Sequence, residues 1–173
     1  MDNSYFILFV FLCVLTHSIR AVYEILKHKK IIAANRLTFA IIFSNMAILW
    51  ISWFTLCSID PIKITFPDIV EYAGLFICAA GLIIFLTALF TIKTLETYNG
   101  ELITKGIYSK IRHPMYLGFI CWLIGFPFFS GSGFSILLAV VFITNVLFWR
   151  HLEEIELEIR FNEYNEYKIK TFF

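Results

Sequence analysis

Residues 104–118 read TKGIYSKIRHPMYLG and set Lys105, Lys110, Arg112 and His113 among two tyrosines and two glycines, directly ahead of more apolar sequence. Proline disfavours helix in the residue before it and suits a helix's first turn, so a helix is expected to begin near Pro114. The unpaired amides of that turn, together with the helix dipole, make an anion site that Arg112 and His113 would line. A simpler reading has Arg112 and Lys110 only anchoring an apolar helix at a membrane interface. Just upstream, Gly100 and Gly106 bracket a short extended piece whose backbone can approach a ligand closely. Tyr108 and Tyr116 suit either an interfacial aromatic belt or stacking on a cation or an adenine ring.

A second polar group opens the tail RHLEEIELEIRFNEYNEYKIKTFF. Arg150 and Glu154 stand at i, i+4, and Glu154, Glu158 and Phe161 follow one helix face at i, i+4, i+7. One reading is an ordinary solvated helix. The other places Arg150 at the membrane surface, gripping a carboxylate or phosphate with both prongs of its guanidinium, and has Glu154 accept bonds from a cofactor's ammonium or ribose groups.

The elements that must carry these residues follow from hydropathy. Of 173 residues, 60% are hydrophobic and 16% charged, with a mean hydropathy of +0.80. Soluble domains carry about 45–50% apolar and about 25% charged residues, so this is a polytopic membrane chain and one domain. A net charge of +1 argues for no nucleic-acid partner. A span takes about 20 apolar residues. Residues 4–19 (continuing toward Leu26), 37–59 and 70–92 meet that need; 115–128 and 134–149 form a shorter pair around the turn FSGSG. The first run has no basic segment before it and no small-residue cleavage site after it, so it is read as a retained span. The expected fold is therefore an all-α integral membrane protein of about five transmembrane helices, the last two a short hairpin, followed by a cytoplasmic C-terminal helix.

Basic residues test that count. Loop 20–36 holds Arg20, Lys27, Lys29, Lys30 and Arg36, and segment 93–114 holds Lys93, Lys105, Lys110 and Arg112. The loop 60–69 holds only Lys63, and the turn 129–133 none. The alternation puts the N-terminus outside and the tail in the cytoplasm, on the same side as the RHP stretch. Cys13, Cys57, Cys78 and Cys121 each sit in a different apolar run without metal-ligand spacing and read as small buried hydrophobes. His17 and Asn45 are polar intruders within spans; His17 lies near the end of its span, where it either snorkels or serves a function.

Taken in order, LIT-x-G-x-Y-x-x-x-RHP-x-Y-x-G, an apolar hairpin, R-x-x-EE and F-x-x-Y-x-x-Y resemble the isoprenylcysteine carboxyl methyltransferase family, prokaryotic-type relatives included. They are similar, too, to membrane phospholipid methyltransferases. The residues concerned are Thr104, Gly106, Tyr108, Arg112, His113, Pro114, Tyr116, Gly118, Arg150, Glu153, Glu154, Phe161, Tyr164 and Tyr167. The resemblance implies binding of S-adenosylmethionine without a dinucleotide-type domain, and no GxGxx fingerprint follows a strand here. It implies Glu101, Leu102, Ile103, Tyr108, His113, Pro114, Met115, Tyr116 and Glu154 as cofactor-binding residues. Arg150 is implied as the catalytic group that holds the acceptor. The chain then divides into two N-terminal spans (1–69) and a methyltransferase core with the cofactor-binding part (70–173). Asn162 replaces the family's usual glycine, and the first two spans carry nothing that matches.

The implied partners are a lipophilic or lipidated acceptor from the bilayer and the membrane lipids themselves. A carboxylate acceptor is already nucleophilic and needs only alignment and exclusion of water, which favours an isoprenylcysteine-like substrate. A phospholipid amine or small thiol would also need a base, and the sequence offers no evident one. NADPH-dependent sterol-type reductases share an RHP-x-Y-x-G-like element but favour asparagine after the proline and an acid after the glycine. This chain has Met115 and Phe119. A non-catalytic scaffold would leave the clustered polar residues without a purpose.

Overall fold

The computed structural model describes residues 3–33, 35–92 and 102–173. Its helices are α1 (Asn3–His28), α2 (Arg36–Ile59), α3 (Asp68–Ile92), α4 (Pro114–Phe129), α5 (Gly133–Arg160) and α6 (Tyr164–Lys170), with a 3-10 turn at Gly106–Ser109. Four of them (α1, α2, α3 and α5) are long and apolar enough to cross a membrane, and α4 is a shorter apolar helix. The chain is an all-helical integral membrane protein.

Local sequence accounts for the boundaries. Asn35 caps α2, its side chain accepting from the Thr38 amide at 3.0 Å while the Thr38 hydroxyl accepts from the Asn35 amide at 2.9 Å. Pro114 occupies the first turn of α4, as its fixed φ favours. Between α4 and α5 the chain turns at Gly131 with φ of +62°, a conformation that a side chain would strain.

The pairing of α3 with α4 is dictated by glycines seven residues apart. Gly74 and Gly81 of α3 lie against Gly125 and Gly118 of α4, so the two backbones touch. A Cβ at Gly118 would come within 2.8 Å of the Gly81 carbonyl oxygen, and one at Gly74 within 2.7 Å of the Gly125 oxygen. Small residues at such intervals bring membrane helices together where lipid removes the usual hydrophobic drive. The other side of α3 carries exposed Ile69, Phe76, Ile83 and Phe90, again at intervals of seven, as a lipid-facing stripe.

α5 departs from expectation in length. The expected 134–149 span and the tail helix are one unbroken helix of 28 residues. Arg150 through Arg160 are mostly good helix formers with i, i+4 charge support, and nothing between the two parts breaks the helix. The polar end of α5 is therefore held rigidly by the spanning part. His17 does not snorkel. It is 3% exposed, stacks on the Phe142 ring at 3.8 Å and approaches the Asn145 amide through Nδ1 at 3.4 Å. Asn45 of α2 donates to the Thr16 carbonyl at 3.0 Å and ties α1 to α2. All four cysteines are free; Cys13 and Cys57 are buried, and Cys78 and Cys121 are half-buried.

Gly125→Ala should lower the thermal midpoint in detergent. The helix-propensity gain of about 1 kcal/mol is outweighed by an overpacking cost of about 1–3 kcal/mol, because the new Cβ meets backbone that cannot move aside. Tryptophan-fluorescence melting checks this, and an unchanged or raised midpoint contradicts the close-contact account.

Candidate active site

Three pieces of chain meet at one end of the bundle: the turn ahead of α4, the last turns of α5, and the stretch from α6 to Phe173. The backbone joins the first and last. The Arg112 amide donates to the Phe172 carbonyl at 3.0 Å, the Phe172 amide to the Lys110 carbonyl at 2.8 Å, and the His113 amide to the Phe173 oxygen at 3.3 Å. Ile111 and Phe172 thus form a short parallel bridge.

Glu154 occupies the centre and is only 6% exposed. Its Oε1 accepts from Arg112 Nε at 3.2 Å and lies 3.5 Å from His113 Nε2. Its Oε2 faces Lys168 Nζ at 3.4 Å and the Arg150 guanidinium at 3.7 Å. A carboxylate buried without partners would cost several kcal/mol, so this concentration of positive charge is what permits it. Among the described residues three permanent cations, Arg112, Arg150 and Lys168, stand around this one carboxylate, with Glu158 sharing Lys168 at 2.8 Å. The hydrogen bond to Glu158, reinforced by the Glu154 charge, raises the Lys168 ammonium above its ordinary value.

The expectation that Arg112 lines an anion site needs correction. Its Nη1 donates to the carbonyls of Lys168 at 2.8 Å and Thr171 at 2.6 Å, so the guanidinium is turned into the tail. A helix end leaves carbonyls without partners, and arginine has five donors with which to satisfy them. Arg150 is held more loosely. Among the described residues its closest carboxylate is at 3.7 Å, its guanidinium lies 4.5 Å from the Phe173 ring centroid, and 24% of its side chain stays exposed. Donors remain there for a ligand anion.

His113 links Glu154 to its neighbour. Nδ1 lies 4.0 Å from Glu153, and Nε2 lies 3.4 Å from the Tyr164 hydroxyl as well as near Glu154. Burial, and then the Glu154 charge, raise the Tyr164 phenol well above its usual value, so it stays neutral. Tyr116, buried on α4, neighbours Glu153 and Arg20 of α1.

Of the residues singled out in the sequence, His113, Tyr116, Arg150 and Glu154 converge. Pro114 is buried beside them and Met115 half-buried in the same turn. Tyr108 is buried in the 3-10 turn, where its carbonyl accepts from the Tyr167 hydroxyl at 2.6 Å. Leu102 and Ile103 are half-buried in the chain leading to that turn, and Glu101 lies outside the described residues. Glu153 and Tyr164 stood in the quoted pattern without an expected role. Lys168 and Phe173 gave no sequence signal, because each joins the cluster only through the return of the tail.

A family model described as phospholipid methyltransferase matches residues 70–163, more than half of the chain. No curated protein and no solved structure matches it.

Arg112→Ala should release the tail. Removing one partner from a buried ion pair costs about 3–5 kcal/mol, and amide exchange in residues 164–173 should accelerate, whereas exposed Lys110→Ala should leave both stability and exchange near wild type. Hydrogen-exchange mass spectrometry of the two variants checks this. Equal protection in both would show that Arg112 does not hold the tail.

Proposed function

Because the chain belongs to the phospholipid methyltransferase family and is thus a membrane methyltransferase, we propose that it moves methyl groups from S-adenosylmethionine to a lipophilic acceptor arriving through the bilayer. The observation that supports this most is the convergence of Arg150, Glu153, Glu154, His113 and Tyr116 from two helices at one end of the bundle. The donor set fits the amino-acid end of the cofactor, which carries a carboxylate and an ammonium: cations exceed carboxylates around Glu154, and Glu153 is half-buried beside His113. When bound, S-adenosylmethionine supplies an electrophilic methyl group on a sulfonium.

In this reading His113 and Glu154 hold the amino-acid end, with Pro114 and Met115 shaping that wall. Tyr108 and Tyr116 offer ring faces that favour the positive sulfur. Leu102 and Ile103 are assigned to the same cofactor-binding set, as is Glu101, which lies outside the described residues. Arg150 holds and orients the acceptor. The distribution of basic residues supports a site on the cytoplasmic side with the N-terminus outside.

For the acceptor, a carboxylate of isoprenylcysteine type fits the loosely paired Arg150 and requires no base, only alignment and dry surroundings. A second reading, methylation of a phospholipid amine, has one specific observation in its favour. Glu153 stands beside Tyr116 and 4.0 Å from His113 Nδ1, a carboxylate–imidazole pair to which this second reading assigns the amine proton. A small apolar thiol would call on the same base.

Calorimetry with S-adenosylhomocysteine on purified protein in detergent tests the cofactor. His113→Ala and Glu154→Ala should weaken binding roughly tenfold or more, while Arg150→Ala should bind normally and lose turnover. Transfer of labelled methyl to N-acetyl-S-farnesylcysteine, compared with vesicles containing phosphatidylethanolamine, separates the two acceptors. Heat on adding NADPH but none with S-adenosylhomocysteine would sink the proposal.

A further inference from the structure

The family match begins at residue 70, yet α1 delivers charged side chains to the same end of the bundle. Lys27 pairs with Glu156 of α5 at 3.1 Å. Arg20 pairs with Glu24 one turn further along α1, and its guanidinium lies 5.7 Å from the Trp149 ring centroid, immediately before Arg150. Arg20 also neighbours the Tyr116 hydroxyl and Glu153. One network therefore runs from Arg20 through Tyr116, Glu153 and His113 to Glu154.

Two features mark Arg20 as more than a structural partner of Glu24. Ionised groups on a membrane-crossing helix are expensive and tend to face functional cavities. Glu24 is 3% exposed, whereas the Arg20 side chain is 17% exposed, and its buried Nε has no hydrogen-bond partner among the described residues. A guanidinium has five donors, and the Glu24 carboxylate with the Tyr116 hydroxyl does not exhaust them. Its position matters as well. Arg20 lies over Trp149, the residue just before Arg150 on α5, so the two guanidinium groups serve the same stretch of that helix.

On the methyltransferase reading, we propose that Arg20 is the specificity residue of the site and holds an oxyanion of the acceptor's headgroup, with Glu24 fixing its orientation. The oxyanion is either the carboxylate of a lipophilic acid or the phosphate of a phospholipid. Arginine grips both in two-pronged fashion.

The test uses the full chain in detergent, with Arg20→Lys and the double variant Arg20→Gln with Glu24→Gln, which leaves no unpaired buried charge. Calorimetric affinities are measured for N-acetyl-S-farnesylcysteine, for short-chain phosphatidylethanolamine and for S-adenosylhomocysteine. The double variant should lose tenfold or more in affinity for one of the two acceptor probes, and Arg20→Lys a smaller factor, while S-adenosylhomocysteine affinity stays within twofold. Loss with the farnesyl acid identifies the carboxylate, and loss with the phospholipid the phosphate. Wild-type affinity for both probes in both variants overturns the proposal. So does failure of both probes to bind the wild type, or a parallel fall in S-adenosylhomocysteine affinity. A wild type that binds no S-adenosylhomocysteine would instead sink the methyltransferase reading, and the probe arms would still decide Arg20.

Discussion

The buried carboxylate of Glu154 is the constraint around which this end of the molecule is arranged. Placed at 6% exposure, it demands compensating charge, and the chain brings that charge from three directions. Arg112 arrives from the turn before α4, Arg150 from one turn earlier on α5, and Lys168 from α6. Each of those groups is then limited in where it can point. Arg112 spends its remaining donors on the carbonyls of Lys168 and Thr171, which fixes the returning tail. The tail in turn caps the amides of Arg112 and His113. Electrostatic necessity at one atom pair thus becomes the architecture of the whole site.

Rigidity reaches the site through the helices beneath it. α5 is continuous from the span into its polar end, so Glu153 and Glu154 move only as α5 moves. α4 is locked to α3 by backbone contact at two glycine pairs, which fixes His113 and Tyr116 at its start. Loosely packed helices would let charged groups drift apart by an ångström, enough to unbalance a buried cluster or misalign a methyl transfer. The apolar faces that remain, such as the α3 stripe, are left to lipid.

Family membership and geometry contribute different things. The match over residues 70–163 shows a membrane methyltransferase and covers most of the polar network. It leaves out α1 and α2, which pack against the core cluster and bring Arg20, Glu24 and Lys27 to the same end.

Much was determined by the sequence alone. Runs of apolar residues set the spans because backbone in hydrocarbon must be helical. Pro114 set the start of α4 and the glycine-rich FSGSG set the hairpin turn, both through local dihedral preferences. The spacing of His113, Arg150 and Glu154 singled out side chains that the fold then brings together. The continuous α5 was less legible, because hydropathy reports where lipid ends and says nothing of where a helix ends. Tertiary structure decided which charges meet. Arg112 looks, in sequence, like the natural ligand for an anion, and only the return of the tail shows that Lys168 and Thr171 claim it. Lys168, Phe173 and Arg20 join the site across long stretches of chain, and such contacts follow from how helices pack rather than from any local spacing. Side-chain chemistry and period were written in the order of residues; the partners of each charge were written in the packing.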